Sequence, residues 1–162
     1  NKNLARQLAG IYLDLDRNDE AIAVMEQVRE RGLLTEEADL RQLYQMYNFT
    51  DRPAKASAVI TEGLATGILK EDEKTLKGLG DSYALAAESA ADEGAEQKDL
   101  WAKAADAYGR AAAFSSKGEL DFQRGHMLYE LERFAESKES MSNALRKGGL
   151  SREGEAWILL GN

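Results

Sequence analysis

One skeleton of residues recurs along the chain at intervals of about 35 residues, and this recurrence constrains the fold more than any other feature. The first copy, "LAGIYLDLDRNDEAIAVMEQV", begins at Leu8 and places a small residue and a tyrosine before a polar turn, then an alanine and a methionine after it. Similar copies follow from Leu43, Leu79 and Arg124, and a fifth begins at Trp157. A period of this length is typical of arrays that stack small supersecondary units.

Composition identifies the units as helices. The chain of 162 residues has one proline and 43% hydrophobic residues, with alanine and leucine prominent and β-branched residues sparse, which favours helix over strand. Its length is sufficient for one domain with a sizeable core. We therefore expect an all-α protein.

The copies divide the chain into repeats that we treat as one domain and as a fragment of a longer array. Their predicted bounds are 2–35, 36–70, 71–117, 118–151 and a truncated 152–162. The third repeat has an insertion near 88–99, where Gly94 interrupts a strong helix-forming stretch. This insertion is interpreted as a lengthened hairpin, or alternatively as a lobe that contacts a partner through Trp101.

Each repeat is expected to form a helix pair whose small residues allow close packing. These are Ala9, Ala21, Ala56, Gly80, Ala104 and Gly125. Asp14 to Asp19 form the turn of the first pair, with Asn18 or Asp19 as the N-cap of its second helix. In the second pair we expect Asp51 to cap a helix that has Pro53 in its first turn. Glycines and short apolar segments, as in "RGLLTEE" and "TGILKEDE", separate the repeats.

This pattern resembles the tetratricopeptide repeat, whose signature is W-x2-L-G-x2-Y followed by A-x3-F. The copies depart from it in places: Tyr44 replaces the small residue of the second, and Arg124 and Leu128 replace the leucine and tyrosine of the fourth. The resemblance implies a right-handed superhelical α-solenoid of antiparallel helix pairs. It also implies a concave surface lined by the first helix of each pair.

The linkers support a narrower resemblance. The stretches "LAGIYLDLDRNDEAIAVMEQVRERGLLTEEADLRQL" and "GILKEDEKTLKGLGDSY" are similar to the tetratricopeptide proteins associated with TonB-type transport systems in proteobacteria. That resemblance implies a scaffold located in the periplasm or cell envelope.

Three cations fall at one position of three successive repeats. Arg6, Arg41 and Lys77 each lie three residues before the small-residue position of a first helix, which Ala9, Tyr44 and Gly80 occupy. The expected binding face also includes Gln45, Asn48, Asp81, Phe122, His126 and Tyr129. This face suits a groove for an acidic or carboxylate-ending peptide, although the same cations could simply solubilise a surface.

A carboxylate clamp of the kind found in chaperone-tail-binding members is a poor match. One turn after the three cations the chain has Gly10, Gln45 and Asp81 instead of asparagine. Binding to such tails is therefore not expected.

Other classes of function find little support. The net charge of −8 opposes nucleic-acid binding, including binding by RNA-reading helical repeats. A calcium loop at Asp14 lacks its glycine and last carboxylate, because Asp19 and Met25 stand there. No cysteine, metal-ligand spacing, membrane-spanning run or partner for the single His126 is present. We predict no enzyme activity, catalytic residue, metal or cofactor.

The leading hypothesis is a non-enzymatic scaffold that binds a peptide or protein segment. The alternative is an assembly module that stacks or oligomerises through its repeat ends, where Trp157, Leu159 and Leu160 would lack a following repeat.

Overall fold

A computed structural model describes residues 1–90 and 94–161, with only the backbone described at positions 154, 159 and 160. The described residues form helices and short connections, with no strand among them. The helices are α1 (Lys2–Asp14), α2 (Asn18–Glu30), α3 (Glu37–Phe49), α4 (Pro53–Thr66), α5 (Glu73–Ser89), α6 (Ala95–Ala112), α7 (Glu119–Glu130), α8 (Phe134–Lys147) and α9 (Glu153–Gly161). The predicted all-α class is confirmed.

The chain divides into two compact units, Asn1–Lys70 and Glu71–Asn162. The first contains the pairs α1/α2 and α3/α4, and the second contains α5/α6 and α7/α8 with α9 packed against α8. The division falls at the predicted boundary between the second and third repeats. That all the repeats form a single domain remains a prediction.

The turn inside a pair has the same backbone structure in three repeats. Asp16, Asp51 and Glu132 adopt left-handed conformations with φ of 56°, 58° and 59°. The next amide in each case donates to the carbonyl five residues earlier: Arg17 to Tyr12 at 2.8 Å, Arg52 to Tyr47 at 2.7 Å and Arg133 to Leu128 at 2.9 Å. These are Schellman-type bonds that satisfy carbonyls at a helix C-terminus.

This turn corrects the predicted caps. The N-cap residues of α2 and α4 are Arg17 and Arg52, and neither makes a side-chain cap hydrogen bond. Asn18 already lies in α2, and Asp51 occupies the left-handed position that ends α3. The chain therefore re-enters a helix only two residues after the left-handed residue, which places the arginine at the cap.

The predicted small residues do lie at close helix contacts. Ala9, Ala21, Ala56 and Ala104 are fully buried. A Cβ atom added to Gly80 would come within 2.7 Å of the Tyr108 ring, and one added to Gly125 would come within 2.7 Å of the Met141 methyl group. Since a larger side chain would overlap its neighbour, these residues let paired helices approach closely.

The third pair is longer than the others. Helices α5 and α6 have 17 and 18 residues, whereas α3 and α4 have 13 and 14. Gly94 is the N-cap of α6, as the predicted interruption requires. Part of the predicted insertion, residues 91–93, lies outside the described residues. Trp101 is only 9% exposed, so it packs within its unit rather than projecting from it.

The linkers between repeats follow their predicted pattern. Gly32 and Gly67 have φ of 67° and 73°, where glycine avoids the strain that a side chain would bring. Leu34 and Leu69 are then buried as apolar plugs. At the next helix start, the Asp72 side chain accepts from the Thr75 amide at 2.8 Å and so caps α5.

Candidate functional site

In the first unit, the first helices α1 and α3 contact each other through polar side chains. Lys2 Nζ lies 2.7 Å from a Glu36 carboxylate oxygen and 3.1 Å from Asp39 Oδ2. Arg6 Nη2 lies 3.4 Å from the other oxygen of Asp39, and Arg6 Nε donates to Gln42 at 3.4 Å. Asp39 is fully buried, so both cations compensate a carboxylate that has lost its water.

Lys2 belongs to this site although it was not among the residues predicted from the sequence. Hydrogen bonds to Glu36 and then Asp39 raise the pKa of Lys2. Lys2 stands four residues before Arg6, on the same face of α1. That spacing was visible in the sequence, but the carboxylate that joins the two cations comes from α3.

The predicted residues of α3 lie along one face of that helix. Arg41 pairs with Glu37 and donates to the Tyr44 hydroxyl at 3.2 Å; its side chain is 11% exposed. Gln45 is exposed and Asn48 is half-buried. Gln45 is therefore the most accessible of the predicted contacts in this unit, whereas Arg41 is largely enclosed.

In the second unit, Lys77 and Asp81 form an exposed pair on α5. Lys77 Nζ lies 2.6 Å from Asp81 Oδ2, and the other oxygen of Asp81 accepts from the Tyr108 hydroxyl at 2.9 Å. Burial, followed by the nearby Asp81 charge, raises the pKa of Tyr108. Asp81 is thus fixed between α5 and α6, while Lys77 remains half exposed.

The α7 residues of the expected binding face, Phe122, His126 and Tyr129, differ in burial. Phe122 is fully buried in a cluster with Met141, Ala144 and Ala156, beneath the Arg152 guanidinium at 4.7 Å from its ring centre. Phe122 therefore belongs to the core, because α8 and α9 cover the side of α7 on which it lies. Its assignment to a binding surface needs correction.

His126 and Tyr129 are half-buried. His126 Nε2 lies 4.0 Å from Glu130, and the Tyr129 ring packs edge-on against Phe134 with centroids 5.3 Å apart. Both retain exposed surface that a ligand could contact.

All three predicted cations already have intramolecular carboxylate partners: Arg6 with Asp39, Arg41 with Glu37 and Lys77 with Asp81. An acidic ligand would have to share these cations or displace a carboxylate. Exchange is easiest at Lys77, because exposed ion pairs contribute only about 0–1 kcal/mol. It is hardest at Arg6, whose partner Asp39 cannot be left buried and unpaired.

The described residues contain no group of three or more His, Cys, Asp or Glu side chains placed to hold a metal ion. None of the helices in the described ranges is both long and apolar enough to cross a membrane.

Comparison with known proteins identifies the architecture. No protein-family model matches the sequence, and no curated protein matches it. The crystal structure of a thermophilic TPR (tetratricopeptide-repeat) protein from Thermus thermophilus is similar, with a TM-score of 0.63 over 99% of this chain and 84% of that one. The chain has a tetratricopeptide-type fold. At 17% sequence identity the likeness concerns the fold alone, and this fold matches the arrangement predicted from the repeats.

Proposed function

We propose that the protein is a non-enzymatic interaction scaffold whose first helices bind an acidic segment of a partner protein. The observation that carries this proposal is the polar contact between α1 and α3, where Lys2 and Arg6 border the buried Asp39. In the first unit the cations of successive first helices, Lys2, Arg6 and Arg41, each lie beside a carboxylate of α3 or of its N-cap. On α5, Lys77 occupies the equivalent repeat position.

The energetics allow a ligand to bind there. Glu36, one partner of Lys2, has 63% of its side chain exposed, so a ligand carboxylate can replace it at little cost. Asp39 stays in place and holds Lys2 and Arg6 near each other. Acidic side chains of a partner would then accept charge-assisted hydrogen bonds, which are stronger than neutral ones.

Fluorescence anisotropy with a labelled glutamate-rich peptide tests this function. We expect saturable binding that weakens as salt rises, since the attraction is electrostatic. Combining Arg6→Gln with Lys77→Gln should reduce affinity by about tenfold, roughly the loss of one or two charge-assisted contacts. Helicity measured by circular dichroism should not change, because Lys2, 3.1 Å from Asp39, still pairs with this buried carboxylate in the variant.

The matched control removes the same charge from the second helix α8. Lys138→Gln with Arg146→Gln should leave the peptide affinity unchanged. If the two double variants bind the peptide equally well, the first helices are not the binding surface.

A location in the cell envelope beside a TonB-type transport system is a further part of the proposal. It is supported by the similarity of the linkers, such as "RGLLTEE" and "TGILKEDE", to that group of proteins. Fractionation of the producing cells, followed by crosslinking in the envelope fraction, tests it. Recovery of the full-length protein in the cytoplasm alone would contradict this location.

Self-assembly is a second candidate function, favoured by an apolar stripe on α1. Leu4, Leu8 and Ile11 follow one face of this helix, Leu15 follows at its C-cap, and all four are between 40% and 67% exposed. Exposed apolar stripes of this kind are typical of interaction surfaces. In α9, Trp157 and Ile158 are also exposed, whereas the side chains of Leu159 and Leu160, which belonged to the same hypothesis, lie outside the described residues.

Sedimentation velocity at several concentrations tests self-assembly. If α1 mediates it, the wild type should form larger species as concentration rises, and Leu4→Ser with Ile11→Ser should be monomeric. Phe114→Ser is the control, because Phe114 is 55% exposed but lies outside α1 and α9. A monomeric wild type at all concentrations would rule out this candidate.

A further inference from the structure

A polar cavity of about 420 Å³ lies in the second unit, between α6, α7 and the turn that leads into α8. Three guanidinium groups line it, one from each of these elements: Arg110, Arg124 and Arg133. Asp106 is the acidic residue in the lining. We call this cavity the arginine pocket.

Arg124 occupies a position where other repeats have leucine. The residue before the small position of the first helix is Leu43 in α3 and Leu79 in α5, and both leucines are buried. Arg124 is half-buried at this position, and its Nη1 donates to the Ser140 hydroxyl at 3.0 Å. Within the described part of the chain no carboxylate forms an ion pair with it. A guanidinium there contributes less to stability than leucine would.

Gly109 makes room for this arginine. A Cβ atom at Gly109 would lie 3.0 Å from both Cδ and Nε of Arg124. A glycine inside a helix costs about 1 kcal/mol relative to alanine, and Gly109 lies inside α6. Gly109 and Arg124, which are neighbours in space, are thus both locally unfavourable residues. Such departures from local rules are expected at functional sites.

The other two arginines are held by exposed carboxylates. Arg110 contacts Glu71 at 2.7 Å and Asp106 at 3.5 Å, and Arg133 contacts Glu136 at 2.6 Å. The side chains of these three carboxylates are 44% to 69% exposed. Exposed pairs such as those of Arg110 are weak, so Arg110 can turn toward a ligand in the cavity. Arg133 makes two hydrogen bonds to Glu136, at 2.7 and 2.6 Å, so a ligand competes with Glu136 for it.

We infer that the arginine pocket binds a phosphate group. A carboxylate is satisfied by one bidentate arginine, whereas guanidinium groups from three elements suit a tetrahedral, doubly charged anion with oxygens in several directions. Arg124 is the fixed anchor, and Arg110 and Arg133 complete the shell. The inference does not depend on the proposed peptide surface, which involves Arg6 and Lys77.

NMR titration with inorganic phosphate at constant ionic strength and pH 7 tests the inference through the arginine Nε–Hε signals. We expect saturable shifts for Arg124, Arg110 and Arg133, with Arg124→Gln weakening phosphate binding by about tenfold or more. Arg146→Gln, which removes an exposed arginine of α8, is the control and should bind like the wild type. Equal phosphate affinity in Arg124→Gln and wild type, or no saturable shift, overturns the inference.

Two further variants separate binding from folding. Arg124→Leu restores the residue type of the other repeats, so it should preserve or raise the melting temperature while abolishing phosphate binding. Asp106→Asn removes the acidic group of the lining and should tighten binding by about two- to fivefold, as expected for loss of one exposed like charge. Weaker binding by Asp106→Asn would contradict the assigned pocket.

The source of the phosphate group is distinguished by a parallel titration with O-phosphoserine. Affinity equal to or above that for inorganic phosphate indicates a group carried by a larger molecule, and binding of inorganic phosphate alone indicates the free ion. Acetate at the same concentrations should have little effect. If acetate produces the same shifts with the same affinity, the pocket does not select a phosphate group.

Discussion

At the scale of single residues, the turns inside the helix pairs combine a shared geometry with unfavourable residue choices. Asp16, Asp51 and Glu132 each occupy a left-handed conformation that ends the first helix of a pair. Aspartate tolerates this region better than most residues, but glutamate has no comparable local advantage. The Schellman-type hydrogen bonds nonetheless form in all three turns, so the surrounding helices impose the conformation.

Replacing Glu132 with glycine should therefore stabilise the protein. We expect a gain of about 0.5–1 kcal/mol in the free energy of unfolding, because glycine adopts this conformation without strain. Urea denaturation measures the change. Glu139→Gly in the exposed middle of α8 is the control, and it should destabilise by a similar amount. Destabilisation at both positions would show that the turn is not strained.

Two helical glycines should respond in opposite ways to the same substitution. Gly80→Ala places a methyl group 2.7 Å from the Tyr108 ring, and overpacking of this kind costs about 1–3 kcal/mol. Gly10→Ala meets nothing within 4 Å, so improved helix propensity should stabilise by up to about 1 kcal/mol. Thermal unfolding compares the two. A stabilised Gly80→Ala would contradict the packing of α5 against α6.

Close contacts between paired helices could be predicted from the sequence, because they require a small side chain. Gly80 and Ala56 represent two places in the repeat, one in each helix of a pair, where small residues recur, and a close helix contact is the simplest reason for a small residue at either. Phe122 was misassigned because an aromatic residue in a first helix can face either a ligand or the next helix. Its burial depends on α8 and α9, which its own helix pattern does not reveal.

At the scale of helices, Glu26 links three of them. Its carboxylate on α2 accepts from the Tyr47 hydroxyl on α3 at 2.6 Å and from Lys55 Nζ on α4 at 2.8 Å. The hydrogen bond from Lys55, and then that from Tyr47, lowers the pKa of Glu26. Burial, and then the bond to Glu26, raises the pKa of Tyr47. These hydrogen bonds connect the second repeat to the first.

The contribution of Glu26 to stability should depend on pH. Since its pKa is lower in the folded protein than in the unfolded chain, its stabilising effect is complete above the unfolded pKa, near 4.5, and is lost as pH falls through the folded pKa. Glu26→Gln should thus destabilise at pH 7 by less than about 1 kcal/mol, and this difference from wild type should vanish in acid.

Denaturation of both proteins from pH 7 to pH 3 measures the effect, with Glu30→Gln as an exposed control on α2. A difference between Glu26→Gln and wild type that stays constant across this range would show that the carboxylate is not stabilised by folding.

The sequence predicted the helices better than their ends. The caps predicted at Asn18 or Asp19 and at Asp51 were wrong because aspartate favours left-handed turn positions as well as N-caps. Asp16 and Asp51 take the left-handed position, which leaves Arg17 and Arg52 as the N-caps. The arginine pocket could not be predicted for a different reason. Arg124 was recognised as a departure from the signature, but its setting depends on Gly109 in another helix, and nothing in a single repeat connects the two residues.

At the scale of the whole molecule, each compact unit contains consecutive helix pairs of the same kind. The net charge of −8 repels acidic ligands at long range, so any binding of such a ligand must come from local cations. On the first helices these cations include Lys2, Arg6 and Lys77, and Gln45 is exposed on a helix of the same type. In the proposed function, the first helices recognise the acidic peptide and the second helices support them.

Site-specific photocrosslinking tests this assignment most directly. A photoreactive residue is placed at Gln45 on the first helix α3, or at the exposed positions Ala65 on α4 and Glu139 on α8, and each protein is irradiated with the labelled glutamate-rich peptide. We predict crosslinking from position 45, diminished by excess salt, and little from positions 65 and 139. Crosslinking from position 65 or 139 that equals or exceeds that from position 45 would contradict recognition by the first helices.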